Sequence, residues 1–197
     1  MSNLKIIPIF AALNAFISMS KKSSVVYDKN TVEFVAVGVQ YCSFIEQAGH
    51  FDKNDFTDKM IKILPLLYLK STMLPEGEPI FDEQPETFVT EYDYEFVRIN
   101  IAEKMGKDDV YLEVFSPEMA FSDTPVTANI SEDLSDIYQD IKNFISVYEL
   151  GFENTMNDAL ILCKENFKDY WGQKAVNVLR ALHAVKYSPE IGIEDEL

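Results

Sequence analysis

Metal-ligating side chains are scarce in this chain of 197 residues, which has two cysteines, Cys42 and Cys163, and two histidines, His50 and His183. No paired Cys and no Glu-x-x-His pattern is present, so neither a structural zinc site nor a di-iron bundle site has its ligand set. Glu46 and His50 stand four apart and share a helix face, but two ligands alone do not make a metal site, and no cofactor is expected. Both cysteines fall in apolar helical patterns, beside Phe44 and Leu160, which is the setting of buried, reduced thiols. Glycine is also scarce, at seven residues. Turn signals are therefore widely spaced, which argues against a sandwich of short strands. Positive charge is short as well: 17 Lys and Arg stand against 33 Asp and Glu, a net charge of -16. Such a chain has no surplus of cations to displace counterions from phosphates, so direct nucleic-acid binding and anionic membrane surfaces are disfavoured.

Long apolar runs are missing. Ile6 to Met19, interrupted by Pro8 and Asn14, falls short of the roughly 20 residues that a membrane-spanning helix requires, so no membrane span is expected. The run has the length of a signal-peptide core, with Ser18-Met19-Ser20 as small residues after it, but Lys5 is the only early positive side chain and Lys21 and Lys22 oppose export. A cytoplasmic protein with an N-terminal arm or extra helix is the expectation. No G-x-S-x-G turn, phosphate loop, dinucleotide fingerprint or metal-ligand cluster occurs, which lowers the prospect of an enzyme.

What is present is helical periodicity. With 47% hydrophobic residues and no internal repeat, the chain is long enough for one domain with a real core. Leu134, Ile137, Tyr138, Ile141, Ile145 and Tyr148 recur every three or four positions and predict an amphipathic helix from Ser131 to a stop at Gly151. A second apolar series, from Phe152 through Met156, Leu160 and Phe167 to Trp171, is interrupted at Gly172. A last helix then carries Ala175, Val176, Leu179, Leu182 and Val185. Upstream, Asn30-x-x-Glu33 reads as a capping box for a deeply buried helix ending near Gly49. A second helix from about Asn54 to Lys70 is apolar nearly all round and reads as central, with Pro65 kinking it or opening a new one. Thr90-x-x-Asp93 predicts the start of a third helix closed by Gly106. Alternation at Val110, Leu112 and Val114 predicts a short strand, pairing with Met119 to Ser122 or lying extended, and Asp123 to Asn129 reads as loop. The reading is all-α: an up-and-down bundle of about five or six helices with one short extended or hairpin segment near residues 109–122. Residues 1–26 form an N-terminal extension, 27–187 a single helical domain and 188–197 an acidic tail.

The charge is uneven. From Pro75 to Asp140 there are 18 Asp and Glu against Arg98, Lys104 and Lys107. An acidic face follows, read either as a solvated surface or as a docking surface for a basic partner. Pro75 to Thr87, with three prolines, a glycine and five acidic groups, reads as a loop and the best candidate for a mobile segment. Candidate binding residues are Trp171, Gln173, Asn177, Arg180 and His183. Gln173, Asn177 and Arg180 stand at helical spacings that form one polar strip beside the Trp171 indole, fit for an acidic or aromatic ligand. The structural alternative places Trp171 in the core, Gly172 at a close helix approach, Arg180 against Asp136 or Asp140, and His183 as a hydrogen-bonded core residue. Tyr138 and Asp140 diverge around their helix by about 200° and do not converge on one acid-base site.

Leu64-Pro-Leu-Leu-Tyr-Leu-Lys70, Asp109-Val-Tyr-Leu-Glu-Val-Phe115, Ile137-Tyr-Gln-Asp140 and Asn166-Phe-Lys-Asp-Tyr-Trp-Gly-Gln173, followed by Leu179-Arg-Ala-Leu-His183, together resemble a bacterial family of helical domains of unknown function. The similarity runs from about Tyr27 to Tyr187. It implies an all-α, up-and-down arrangement and brings no catalytic residues. Three functions remain open: an acidic helical interaction module for a basic protein partner, a nucleic-acid-mimicking inhibitor or immunity-type protein, and a small-molecule binder or enzyme with a pocket near Trp171, Arg180 and His183.

Overall fold

The computed structural model describes residues 24–113 and 126–187. The run Ile6 to Met19, the Met119 to Ser122 segment and the acidic tail lie outside the described residues. Among the described residues six α-helices form: α1 (Lys29–Glu46), α2 (Lys53–Thr72), α3 (Glu91–Met105), α4 (Ile130–Leu150), α5 (Glu153–Asn166) and α6 (Gly172–Tyr187). One two-stranded antiparallel ribbon pairs β1 (Val110–Leu112) with β2 (Thr127–Asn129). The partner strand is thus Thr127–Asn129, which the sequence reading had placed in a loop. Among the described residues no helix is long and apolar enough to cross a membrane.

Helix α4 is the axis of the bundle. Its hydrophobic stripe, Leu134, Ile137, Ile141, Phe144 and Ile145, is buried, and it packs against α1, α3, α5 and α6. Helix α2 closes the other side by packing on α1 and α6. The α1–α2 pair is antiparallel: the start of α1 meets the end of α2 at the Glu33–Lys70 ion pair (2.5 Å), and Phe44 near the end of α1 stacks on Phe56 near the start of α2 at 5.4 Å. Gly151, in the left-handed region at φ 76°, lets the chain reverse after α4.

Caps follow local chemistry, with one shift. Asp28, not Asn30, caps α1, its side chain accepting from Asn30 N at 2.8 Å; Glu33 turns to Lys70 instead of back to the cap. Thr90 and Asp93 make a reciprocal capping box, and Gly106 ends α3 at φ 56°. Helix α4 is capped from outside its own segment. The buried Asp109 carboxylate accepts from Ser131 N and Ser131 Oγ, each at 2.8 Å, placing negative charge at the helix N-terminus.

Of the expectations for the first helices, one is narrowed, since Pro65 opens no new helix, and one is corrected. Pro65 lies within a continuous α2, on its exposed side. Neither α1 nor α2 is buried all round: Val32, Ala36 and Val39 on α1 and Leu66, Tyr68 and Leu69 on α2 face outward. Both helices carry more apolar residues than the single face they bury requires, and α4 holds the central place instead.

The interruption at Gly172 is a π turn. Phe167–Trp171 joins α5 to α6 without a break, and the Gly172 N–H donates to Phe167 O, five residues back. A Cβ on Gly172 would lie 2.3 Å from that same oxygen and 2.9 Å from the Phe167 ring. The glycine therefore serves the turn within its own helix, not an approach between two helices. Gly172→Ala is expected to destabilise the fold by about 2 kcal/mol, lowering the melting temperature by roughly 4–8 °C for a domain of this size. Thermal unfolding followed by circular dichroism checks this.

Candidate functional site

The strip proposed from sequence is divided by the structure. Trp171 is 0% exposed, its Nε1–H donating to Cys163 O at 3.2 Å, so the indole is a core element. Gln173 donates to Asn177 at 2.9 Å and Asn177 to Glu113 at 2.9 Å, tying α6 to the end of the ribbon. Arg180 is exposed, and the two acids suggested for it are engaged elsewhere, Asp136 by Tyr94 and Tyr170 and Asp140 by Asn166. His183 is also exposed and packs at a tilt against Tyr187, with ring centroids 4.7 Å apart, so it is not a core histidine. Cys42 and Cys163 are free and buried, and burial pushes both thiols up. Among the described residues no group of three or more His, Cys, Asp and Glu side chains is placed to hold a metal ion.

A polar network that the sequence reading did not assemble crosses the middle of the bundle. Asp133 and Asp136, three apart on α4, both bind Lys174 of α6, at 2.7 and 3.0 Å. Tyr111 of the ribbon donates to Asp133; Tyr94 of α3 and Tyr170 of the π turn donate to Asp136 at 2.8 and 2.7 Å. Burial disfavours the Lys174 ammonium, but its bonds to the two carboxylates prevail and raise its pKa. Burial and the adjacent Asp136 push the Tyr170 phenol up to about 12, so it stays a donor. The network joins five elements: α4, α6, α3, the ribbon and the π turn. Removing its cation by Lys174→Met leaves the buried Asp133 uncompensated. A loss of about 3 kcal/mol is expected, largely recovered when Asp133→Asn is added, as measured by urea unfolding.

The most exposed chemistry lies on the segment from Leu74 to Val89, the strap, and on the first turns of α3. The strap has no regular structure, yet α4 and α5 hold it at four points. Lys164 donates to Leu74 O and Pro75 O at 2.9 and 3.1 Å and pairs with Glu76 at 2.6 Å. Asn157 donates to Glu78 O at 2.9 Å. The buried Asp158 accepts from Ile80 N and Phe81 N, both at 2.8 Å, and Asn143 Oδ1 accepts from Phe88 N and Val89 N at 2.7 and 2.9 Å. The strap's backbone donors thus find partners on the helices, as an ordered segment requires. The loop read as a mobile candidate is fastened, because the residues that order it lie some 55 to 90 positions away in the chain.

Held in this way, the strap and α3 present Ile80, Phe81, Phe88, Tyr92 and Phe96 outward, with Tyr92 78% exposed. Among them stand the exposed Glu78, Asp82, Glu83, Glu86 and Glu91, none in an ion pair among the described residues. From Ser71 to Val97 the sequence contains no Lys and no Arg. That gap in positive charge was the available sequence signal, more local than the acidic count from Pro75 to Asp140. Beside the strap, an open cleft of about 390 Å³ is lined by Phe88, Tyr92 and Phe96 over a floor where Lys142 and Tyr138 bind Glu46 at 2.7 and 3.0 Å. The surface joins aromatic faces to uncompensated carboxylates, a pairing suited to cationic and apolar side chains. Asp158→Ala removes two charge-assisted bonds, and the amides of Ile80 and Phe81 are then expected to exchange with solvent about tenfold faster or more, while amides in the α4 core keep their protection.

Known proteins place the fold without naming an activity. The chain is 52% identical to protein BF1032 from Bacteroides fragilis, whose crystal structure it matches with a TM-score of 0.76 over 85% of this chain and 98% of that one. No curated protein matches it significantly. A family model covers residues 25–188, which include every helix described above, and by that match the chain belongs to the family described as Domain of unknown function (DUF5063).

Proposed function

We propose that this domain is a cytoplasmic helical interaction module that docks a basic protein partner on the strap and the first turns of α3. The observation that carries the reading is the pinned strap: Ile80, Phe81 and Phe88 stand among the unpaired Glu78, Asp82, Glu83 and Glu86 on a backbone held by Asp158 and Asn143, and Glu91, Tyr92 and Phe96 of α3 continue the surface. Pre-ordering removes much of the entropy cost that a loose loop would incur on binding. The surrounding field steers a cationic partner and rejects an anionic one. A nucleic-acid mimic would need carboxylates without large apolar side chains between them, so interleaved Phe81, Phe88 and Tyr92 favour the more general basic partner. The small-molecule reading has less support, because Trp171, one of its three residues, is enclosed in the core.

The test is capture from lysate of the native organism, with wild type beside Glu83→Lys combined with Glu86→Lys, and beside Glu103→Lys as a charge reversal off the strap. A protein retained by wild type and by Glu103→Lys in low salt, released in high salt, and bound by the strap variant with an association rate about tenfold lower is the expected result. Equal retention by the strap variant, with its circular dichroism unchanged, overturns the proposal.

A further inference from the structure

A second cleft, of about 220 Å³, lies under the strap where Gln84 to Thr87 cross the α4–α5 pair. Its apolar wall is formed by Phe144 and Val147 of α4 and Ala159 and Leu162 of α5, and its polar side by Asp140, Asn143, Asn166 and the strap. Asn166 donates to Asp140 Oδ1 at 2.5 Å, and among the described residues no group reaches Oδ2. Helix α4 carries three carboxylates along this side, Asp133, Asp136 and Asp140. Lys174 serves the first two and leaves the third without a cation. The groups around Asp140 include Asp136 and Asn143 of α4, Cys163 and Asn166 of α5, Tyr170 of the π turn and Glu86 of the strap, and none of them is cationic. Burial raises the Asp140 carboxyl above its ordinary range, with the Asn166 bond acting the other way.

A cleft with one apolar wall and an unshared carboxylate in its lining is matched by a long aliphatic stem that ends in a cation. A wholly apolar occupant would strip water from Asp140 and return no bond, and an anion would be repelled. We propose that this cleft is a subsite for a cationic side chain of the basic partner, its stem lying against Phe144 and Leu162 and its guanidinium or ammonium bonded to Asp140 Oδ2. The subsite rests on the reading of the strap as a docking surface for the source of the side chain, but not for the chemistry of the cleft.

The probe is n-butylguanidinium, titrated into the full chain while the Asn166 side-chain amide and the Phe144 ring are followed by NMR. Saturable shifts of both signals are expected, at least fivefold weaker in Asp140→Asn, which keeps the shape of the side chain. In wild type the binding should weaken as acid protonates Asp140, and 1-pentanol, which has a similar stem and no charge, should leave both signals unmoved at the same concentrations. Equal binding by Asp140→Asn, equal shifts with 1-pentanol, or shifts confined to other residues each overturn the subsite. Wild-type measurements with the two probes decide the matter if Asp140→Asn does not fold. The two proposals fail separately: a basic partner that binds Asp140→Asn as tightly as wild type removes the subsite and leaves the strap, whereas probe binding at Asp140 with no partner held by the strap does the reverse.

Discussion

The structure depends on placing an acidic helix at the centre of a bundle. Helix α4 packs against four of the other five described helices, which bury its apolar stripe, and along one side it carries the buried Asp133 and the half-buried Asp136 and Asp140. A carboxylate so enclosed is costly unless a cation and hydrogen-bond donors meet it. Lys174, Tyr94, Tyr111 and Tyr170 do so for two of the three. Each comes from a different turn or element, so neutralising α4 also sets the positions of α3, the ribbon, the π turn and α6. The π turn belongs to the same arrangement: it brings Tyr170 to Asp136 and Trp171 into the core within one helical run.

Side chains of the helices also order what is not helical. Asp109 leaves the β ribbon to cap α4, and Asp158, Asn157, Asn143 and Lys164 leave α4 and α5 to hold the strap. In each case a buried or half-buried polar group satisfies backbone groups that have no ladder of their own. The result is an exposed surface with the steadiness of regular structure and the variety of side chains of a loop. Composition alone reads such a segment as mobile, since prolines, glycine and acids are the usual marks of a loop. Gly77 adds to the fit, because a Cβ there would stand 3.2 Å from Ile161 Cδ1.

Much of the architecture was legible from single segments. The stripe of α4, the Thr90–Asp93 box and the stops at Gly106 and Gly151 are local features, decided by residues within a few positions of one another, and they stand where the periodicity placed them. Where the sequence reading departed from the structure, the deciding partner was distant. Asn30 and Glu33 have the spacing of a capping box, but Lys70 draws Glu33 away. Trp171 and Arg180 lie close enough in sequence to suggest one site, but the indole turns inward to Cys163 and the guanidinium outward to water. The apolar excess of α1 and α2 shows that each can be buried, and it does not say which faces other helices will cover.

What the sequence determined by itself was the helical class, the main helix boundaries and the surplus of negative charge, because hydrophobic period, caps and composition are properties of neighbouring residues. The tertiary structure alone decided which carboxylates are neutralised, that the strap is fastened, and that, among the described residues, Asp140 and the strap's Glu78, Asp82, Glu83 and Glu86 remain without cations. Those outcomes depend on pairs such as Lys174 with Asp133 and Asp158 with Ile80. Such pairs meet only after the helices have packed, and no local pattern records them.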